Sequence, residues 1–251
     1  MTPYFSHGGI EIYQGDCREV MPSLNIQPDS LIVADPPYNQ TSLAWDKWPT
    51  GWPEVAARTA SSMWCFGSLK MFLDRAGEFS DWKFGQDIVW EKPNGSNFHA
   101  DRFRRVHEQV VHWYRGKWDD VFKSPQFTAD ATKRATRRKR RPAHMGNIDE
   151  GPYLSEDGGP RMQRSVLRSR SCHGFAENET QKPEGIVEAL VRYSAKPGGV
   201  VIDPFVGSGT TLVVAKFLGL RAIGIELREE QCEVAANRVT GSMGFPAELP
   251  C

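Results

Sequence analysis

Residues 200–211 read Val200-Val201-Ile202-Asp203-Pro204-Phe205-Val206-Gly207-Ser208-Gly209-Thr210-Thr211. The β-branched residues at its start predict a short buried strand that ends at Asp203. Gly207 and Gly209 then permit a tight turn and a close approach of a ligand to the backbone, and a helix is predicted over 210–218. Open α/β sheets bind their ligands at the carboxyl ends of their strands. The stretch therefore predicts an α/β fold with a ligand site beside Asp203.

A second stretch of the same design occurs near the start of the chain. Leu31-Ile32-Val33-Ala34 predicts another buried strand, and Asp35-Pro36-Pro37-Tyr38 follows it directly. Because proline has no N–H to donate, the carbonyl groups here stay available as acceptors. The Asp35 carboxylate and the Pro36 carbonyl could accept both hydrogens of an exocyclic amine. The Tyr38 ring could stack on the base, a contact worth roughly 1–3 kcal/mol. The alternative is a plain strand-ending turn.

The strand predicted after the glycine loop ends at another acidic residue. Ala222-Ile223-Gly224-Ile225 forms this strand, and Glu226 follows it. In dinucleotide-binding folds an acid at this point accepts the hydroxyl hydrogens of a ribose. The alternative is an ordinary strand–turn–helix corner with an exposed glutamate. The loop lacks the Gly-x-Gly-x-x-Gly pattern, which counts against a nicotinamide or flavin enzyme. Together the three acidic sites indicate an enzyme that holds a planar base against a nucleotide-like cofactor.

The remaining apolar periodicity predicts one core interrupted by a long irregular stretch. A chain of 251 residues suits one large α/β domain with an insertion. Further strands are predicted over 10–13, 63–66, 87–90 and 108–114, and helices over 18–24, 53–62, 69–79, 183–194 and 229–239. Over 117–180 the periodicity disappears, and a plain connection is rarely so long. We therefore expect residues 1–116 and 181–251 to form two halves of one core around an insertion at 117–180.

Charge is distributed unevenly although the formal net charge is zero. Residues 133–172 hold eleven basic and four acidic side chains, a net charge of +7 that leaves −7 for the rest. A basic segment inside the insertion favours contacts with the phosphates of nucleic acid, although a solvated surface would have the same composition. The residues expected to bind DNA are Arg137, Arg138, Lys139, Arg140, Arg141, Arg164 and Arg168.

Composition argues against several other classes of protein. The five cysteines are scattered and form no Cys-x-x-Cys pair, so neither a metal site nor a disulfide framework is expected. No apolar stretch approaches the roughly 18–20 residues that cross a bilayer. The first residues lack the basic and apolar regions of a signal peptide. We therefore expect a cytoplasmic protein without a membrane partner.

In this order the motifs resemble an amino-methylating DNA methyltransferase of the N6-adenine/N4-cytosine type. The resemblance is to its β group, in which Asp-Pro-Pro-Tyr precedes the target-recognition region and the S-adenosylmethionine motif comes last. It covers nearly the whole chain and includes Gly15-Asp16-Cys17, residues 63–67, 89–94 and 107–111, and Gln181-Lys182-Pro183. The resemblance implies a Rossmann-like, mostly parallel sheet of seven strands. The fold would be circularly permuted, with a target-recognition segment inserted between its halves.

The resemblance also implies S-adenosylmethionine as the cofactor, double-stranded DNA as the substrate and a possible homodimer. Asp16 and Cys17 would contact the adenine of the cofactor, Lys182 its methionine end and Glu226 its ribose. The implied cofactor loop consists of Asp203, Pro204, Phe205, Gly207, Ser208, Gly209, Thr210 and Thr211. The implied catalytic motif consists of Asp35, Pro36, Pro37 and Tyr38. It would hold an adenine flipped out of the duplex while its N6 attacks the sulfonium methyl directly.

Several related functions stay open on the sequence. Aspartate at the first position of the catalytic motif favours adenine, since cytosine-N4 members usually begin with serine. Methylation of cytosine N4, of RNA or of a protein glutamine remains an alternative. A catalytically inactive DNA-binding homologue is a further one, although it would have no physical reason to keep Asp35, Tyr38, Gly207, Gly209 and Glu226. The recognition sequence and any role beside a restriction nuclease stay open.

Overall fold

The computed structural model describes residues 1–93, 100–137, 152–169 and 181–241. The chain divides into two compact units. Met1–Ser124 and Ser165–Cys251 form the first unit, and Pro125–Arg164 forms the second. In the described residues the strands are β1 (Phe5–His7), β2 (Ile10–Gln14), β3 (Leu31–Ala34), β4 (Ser62–Gly67), β5 (Lys83–Glu91), β6 (His107–Tyr114), β7 (Phe127–Thr128), β8 (Arg134–Arg137), β9 (Pro152–Ser155), β10 (Arg161–Met162), β11 (Val166–Arg168), β12 (Val200–Asp203) and β13 (Arg221–Glu226).

Six α-helices accompany these strands in the described part of the chain. They are α1 (Cys17–Ser23), α2 (Trp52–Thr59), α3 (Leu69–Asp74), α4 (Glu184–Ser194), α5 (Thr210–Phe217) and α6 (Glu229–Gly241). The prediction of a single helix over 69–79 is wrong in one respect. Helix α3 ends at Asp74, and a separate 3₁₀ turn follows at Ala76–Phe79.

The first unit is built on a mostly parallel sheet. Its described strands number nine, in the order β1-β2-β13-β12-β3-β4-β6-β5-β11. Strands β2, β13, β12, β3 and β4 run parallel, whereas β6 is antiparallel to both of its neighbours. Seven of the nine are the strands that the sequence predicts, and the other two, β1 and β11, are short additions at the sheet edges. The predicted α/β class is confirmed.

The apolar residues of the sheet are divided between two helical layers. Successive residues of a strand point to opposite faces. Leu31 and Val33 of β3 therefore pack in a cluster with α4, α5 and α6. Ile32 and Ala34 pack in a second cluster, with α1 and α2. The resulting three layers bury the sheet on both faces, which explains why its central strands are continuous apolar runs.

The strand order places a crevice beside β12 and β3. These two strands are parallel neighbours. From β12 the chain passes through α5 to β13 on one side, and from β3 it passes through α2 to β4 on the other. Such a divergence is the point at which doubly wound sheets bind their ligands. Asp203 ends β12 and Asp35 follows β3, so both carboxyl groups lie at this point.

The second unit, Pro125–Arg164, consists of short antiparallel pairs in its described part. Strand β7 pairs with β10, and β8 pairs with β9. The sequence shows no periodicity over 117–180 because strands of two to four residues are too short to establish one. The ends of that stretch contribute β11 and the 3₁₀ turn Trp118–Asp120 to the first unit. Across the described residues, no helix is long and apolar enough to cross a membrane.

His112 is a buried titratable residue in the middle of β6. Its imidazole is fully buried and stacks on Trp64, with ring centroids 4.4 Å apart. Its Nε2 lies 2.9 Å from the Ser62 hydroxyl, whereas Nδ1 has no hydrogen-bond partner among the described residues. Burial, with a smaller contribution from Lys123, lowers the pKa of His112 to about 4. The native protein therefore holds this ring neutral.

We expect the protein to lose stability as pH falls from about 6.5 to about 4. In this range the His112 imidazole of the unfolded chain binds a proton, whereas that of the native state does not. This difference lowers the free energy of unfolding by about 3 kcal/mol in total. Urea denaturation of wild type and His112→Phe across this range tests the expectation. The variant keeps a ring against Trp64, so its stability should lack this dependence. An equal pH dependence in the variant would contradict the assignment, and the exposed His7→Gln serves as control.

Candidate active site

A cleft of about 480 Å³ opens at the carboxyl ends of β3, β12 and β13. This volume is typical of small-molecule sites. The predicted residues that line it are Asp16, Cys17, Asp35, Pro37, Lys182, Asp203, Pro204, Phe205, Gly207, Ser208, Thr210, Thr211 and Glu226. Apolar walls are contributed by Val33, Phe66, Val187 and Ile225. The structure thus brings segments from both ends of the sequence to one cavity.

The glycine loop is fixed by hydrogen bonds along its length. The Phe205 N–H donates to Asp203 Oδ1 over 3.0 Å, and the Val206 N–H donates to the Ile225 carbonyl over 3.0 Å. Gly207 has a φ of 48°, a left-handed conformation that favours glycine, and its N–H donates to Glu226 Oε2 over 3.1 Å. The loop conformation is therefore set by the two acidic residues that flank it.

Gly209 does not line the cleft, in contrast to the expectation that it clears space for a ligand. It caps the start of α5 with a φ of 85°. A Cβ at this position would lie 3.0 Å from the Cβ of Ala235 and 3.1 Å from its Cα. Since Ala235 belongs to α6, Gly209 permits a left-handed turn and the close packing of two helices. Its assignment to the cofactor stays a prediction.

Asp203 is a buried carboxyl group at the floor of the loop. Burial raises its pKa to about 7, although hydrogen bonds from Thr211 and the Phe205 N–H favour the ionised form. The carboxylates of Asp35 and Glu226 raise the pKa further. The charge of Asp203 consequently changes near neutral pH.

Glu226 ends β13 and is buried against the loop. One oxygen of its carboxylate accepts the Gly207 N–H, and the other accepts the Arg228 N–H over 2.9 Å. A carboxylate oxygen has two acceptor positions, so one position on each oxygen remains for a ligand hydroxyl. The Arg228 guanidinium also lies 5.4 Å from the ring of Trp45, and both residues line the cleft.

Asp16 and Cys17 line the cleft at the start of α1, next to the end of β13. Asp16 caps this helix by accepting the Arg18 N–H over 2.9 Å, and the Arg18 guanidinium lowers the pKa of its carboxyl group. Burial raises the pKa of the Cys17 thiol to about 12. The thiol is therefore protonated at neutral pH and is not a nucleophile.

The Asp-Pro-Pro-Tyr motif centres on Asp35. Its Oδ1 accepts the Tyr38 hydroxyl over 2.8 Å, and its Oδ2 accepts the Lys182 ammonium over 2.5 Å. Pro36 is buried, and neither Pro36 nor Tyr38 contributes to the wall of the cleft. Both acceptor oxygens of Asp35 are thus engaged by side chains of the protein itself.

Lys182 connects Asp35 to a second carboxylate that sequence reasoning placed only in a core strand. Its ammonium lies 3.6 Å from Glu108 Oε2, and Lys92 pairs with Glu108 Oε1. Glu108 is the second residue of β6, which pairs with the carboxyl end of β4 through Gln109 and Gly67. Glu108 lies between the polar residues His107 and Gln109, so the sequence pattern gave no signal that marks it.

Burial and charge act against each other in this cluster. Burial alone lowers the pKa of Lys182, but the carboxylates of Asp35 and Glu108 outweigh it and raise the value. Burial raises the pKa of Asp35 despite the opposing effect of Lys182. Burial also disfavours ionised Glu108, but Lys182 and Lys92 lower its pKa. The cluster holds two cations and two carboxylates, so its charges balance when all are ionised.

The residues expected to bind DNA are only partly covered by the structure. Arg138, Lys139, Arg140 and Arg141 lie outside the described residues, and only the backbone of Arg137, in β8, is described. Arg164 is exposed at the end of the second unit. Arg168 is exposed on β11 of the first unit, where its Nε donates to Glu91 over 2.8 Å. These assignments stay predictions.

The fold and cleft define a nucleotide-type ligand site on a doubly wound sheet, and comparisons with known proteins give the family. The N6/N4 family model, described as DNA methylase, matches residues 30–237. The chain belongs to this family of DNA methylases, as its motifs indicate.

Individual relatives agree with this assignment. The chain is 28% identical to the Type II methyltransferase M.HinfI of Haemophilus influenzae, over 91% of this chain and 67% of that protein. It is 24% identical to the Type II methyltransferase M2.DpnII of Streptococcus pneumoniae, over 94% and 92%.

Solved structures share the fold. The M1.HpyAVI–SAM complex matches with a TM-score of 0.61 at 24% identity, over 91% of this chain and 99% of that chain. The PvuII DNA methyltransferase, described as cytosine-N4-specific, matches with a TM-score of 0.64 at 15% identity, over 94% and 88%.

We expect Gly209→Ala to destabilise the protein by about 1–3 kcal/mol, because it strains the left-handed turn and presses on Ala235. Gly185→Ala is the matched control. Gly185 lies in α4 with open space around its Cα, so alanine there should be neutral or stabilising by about 0.5–1 kcal/mol. Thermal unfolding of both variants measures the difference. Equal stability of the two variants would contradict the packing role of Gly209.

Proposed function

We propose that this chain transfers a methyl group from S-adenosylmethionine to the N6 amine of adenine in duplex DNA. The observation that carries the proposal is the position of Asp35. Its carboxylate faces the cleft from β3, directly beside the glycine loop of β12. An acceptor for an amine and a cradle for a nucleotide-like cofactor therefore share one cavity.

The donor and acceptor groups of the cleft fit S-adenosylmethionine. Glu226 keeps one free acceptor position on each oxygen, which suits the two hydroxyl groups of a ribose. Asp203, when ionised, places negative charge beside the loop, which suits a cationic ligand. Phe205 and Val187 supply apolar surface. When bound, the cofactor supplies an electrophilic methyl group on a positively charged sulfur.

The residues of the chain then have the following roles. Asp35 accepts a hydrogen bond from the amine and so directs the nitrogen lone pair at the methyl group. The nitrogen forms the new N–C bond as the S–C bond breaks, and it loses one proton. The Asp35 carboxylate accepts this proton and passes it to water. The Tyr38 ring is the proposed stacking surface for the base, and it would have to turn into the cleft, whose wall it does not form in the free protein.

Aspartate at position 35 is the reason for choosing adenine. The fold does not discriminate between the two bases, because the cytosine-N4-specific PvuII enzyme shares it. The similarity to Type II methyltransferases supports DNA as the substrate. The exposed Lys133, Arg134 and Arg164 supply positive charge for phosphate contacts in the second unit. The homodimer and the cytoplasmic location stay predictions from the sequence.

The experiment is methyl transfer from labelled S-adenosylmethionine to unmethylated genomic DNA, followed by mass spectrometry of the nucleosides. We expect N6-methyladenine. We also expect Asp35→Ala to lower turnover by at least about a thousandfold while cofactor affinity changes much less, because the substitution removes the amine acceptor along with its ion pair to Lys182. Asp35→Asn tests the same role with less change in shape. Asp29→Ala removes an exposed carboxylate that pairs with Lys196, and it should have no effect.

Different results would contradict the choice of base, the role of Asp35 or the choice of DNA as substrate. N4-methylcytosine would keep the mechanism and overturn the choice of base. Labelled DNA from Asp35→Ala at the wild-type rate would contradict the role of Asp35. Cofactor binding without any label in DNA would overturn the proposed substrate.

Cofactor affinity should rise with pH through about 7. Asp203 is neutral below this value and ionised above it, and the ionised carboxylate attracts a cationic cofactor more strongly. Calorimetric titration with S-adenosylmethionine between pH 6 and pH 8 measures the trend. Asp203→Asn keeps an acceptor for the Phe205 N–H but cannot ionise, so its affinity should be nearly constant over this range. A wild-type affinity that is constant over the same range would refute the assignment.

A further inference from the structure

Lys182 occupies the position that the proposed substrate amine requires. An amine that binds Asp35 must donate a hydrogen to its carboxylate, and the Lys182 ammonium already donates to Oδ2 over 2.5 Å. The Tyr38 hydroxyl engages the other oxygen over 2.8 Å. The ammonium is thus bound where the amine of the base is expected. Each carboxylate oxygen can accept a second hydrogen bond, so a base entering the site competes with the ammonium for Asp35.

Glu108 offers the displaced ammonium a second partner. Its Oε2 lies 3.6 Å from Lys182 Nζ and is buried, with no hydrogen-bond partner among the described residues. At 3.6 Å this ion pair is too long for a hydrogen bond, so shortening it would give the buried oxygen the hydrogen bond that it lacks. A movement of about 1 Å brings the two atoms to hydrogen-bonding distance. The aromatic rings of Tyr38 and Phe66 lie beside the ammonium, with centroids 5.7 and 5.4 Å from Nζ.

We propose that Lys182 is a positioning residue that holds Asp35 until the base arrives and then moves to Glu108. Glu108 is the second positioning residue, because it receives the ammonium and keeps it inside the cluster. No charge leaves the cluster when the amine takes the place of the ammonium on Asp35. This inference rests on the proposed function, since it assumes that Asp35 binds an amine.

The transfer to Glu108 has a chemical consequence for Asp35. In the structure Lys182 favours the ionised form of this carboxyl group, which suits the binding of an amine hydrogen. Once Lys182 is bound to Glu108, its influence on Asp35 weakens, and the carboxylate becomes a better acceptor for the proton that the methylated nitrogen must lose. Lys182 thus keeps Asp35 ionised before the base binds and leaves it free to accept a proton during the reaction.

A double-mutant cycle tests whether the effect of Glu108→Gln on methyl transfer depends on the presence of Lys182. In the wild-type background Glu108→Gln leaves Lys182 on Asp35, so we expect kcat/KM for genomic DNA to fall by about tenfold or more. The KM for DNA should rise, whereas the Kd for S-adenosylmethionine should not change. In a Lys182→Met background there is no ammonium to transfer, so the same substitution should cost less than about twofold. Glu188→Gln is the matched control, because this α4 carboxylate pairs with Arg192 outside the cleft.

The results separate the inference from the proposed function. Equal costs of Glu108→Gln in the two backgrounds would overturn the inference and leave the methyltransferase assignment intact. Absence of DNA methylation by the wild-type protein would overturn both. If Lys182→Met does not fold, Lys182→Gln takes its place in the cycle, because it also removes the charge that Glu108 attracts. A fall in cofactor affinity equal to the fall in kcat/KM would also contradict the inference.

Discussion

The ion pair between Lys182 and Asp35 is the interaction on which the site depends. The two residues are separated by 147 positions in the sequence, and their side chains meet at the carboxyl end of β3. Both groups are mostly buried, so neither charge is well solvated without the other. Removing one partner of a buried pair typically costs roughly 3–5 kcal/mol, because the other charge is left uncompensated. The pair therefore fixes the start of α4 against the catalytic motif.

The topology of the sheet makes this pair possible. Strands β3 and β12 are parallel neighbours at which the chain connections diverge, so the acidic residues that follow them share one crevice. Strand β6 runs antiparallel to β4 and brings Glu108 to the same edge. Family membership agrees with this arrangement. The site thus combines one cavity for a cofactor with a charged cluster that controls the amine acceptor.

The sequence predicted the seven central strands because their runs of β-branched, aromatic and other apolar residues are long enough to stand out. It also predicted most of the cleft, since acidic residues at strand ends have a known place in such folds. It did not predict the cluster around Lys182, whose partners come from separate strands that only the folded chain brings together. The sequence also did not show why a glycine is needed at position 209, because the contact with Ala235 is made by another helix.

The most direct test is a crystal structure of the protein with a target duplex and a cofactor analogue that has no transferable methyl group. We expect the amine of the flipped base on Asp35 and the Lys182 ammonium within hydrogen-bonding distance of Glu108 Oε2. The distance between Lys182 Nζ and Asp35 Oδ2, 2.5 Å in the free protein, should then exceed hydrogen-bonding range. A complex in which Lys182 remains on Asp35 Oδ2 while the base is bound would contradict this expectation.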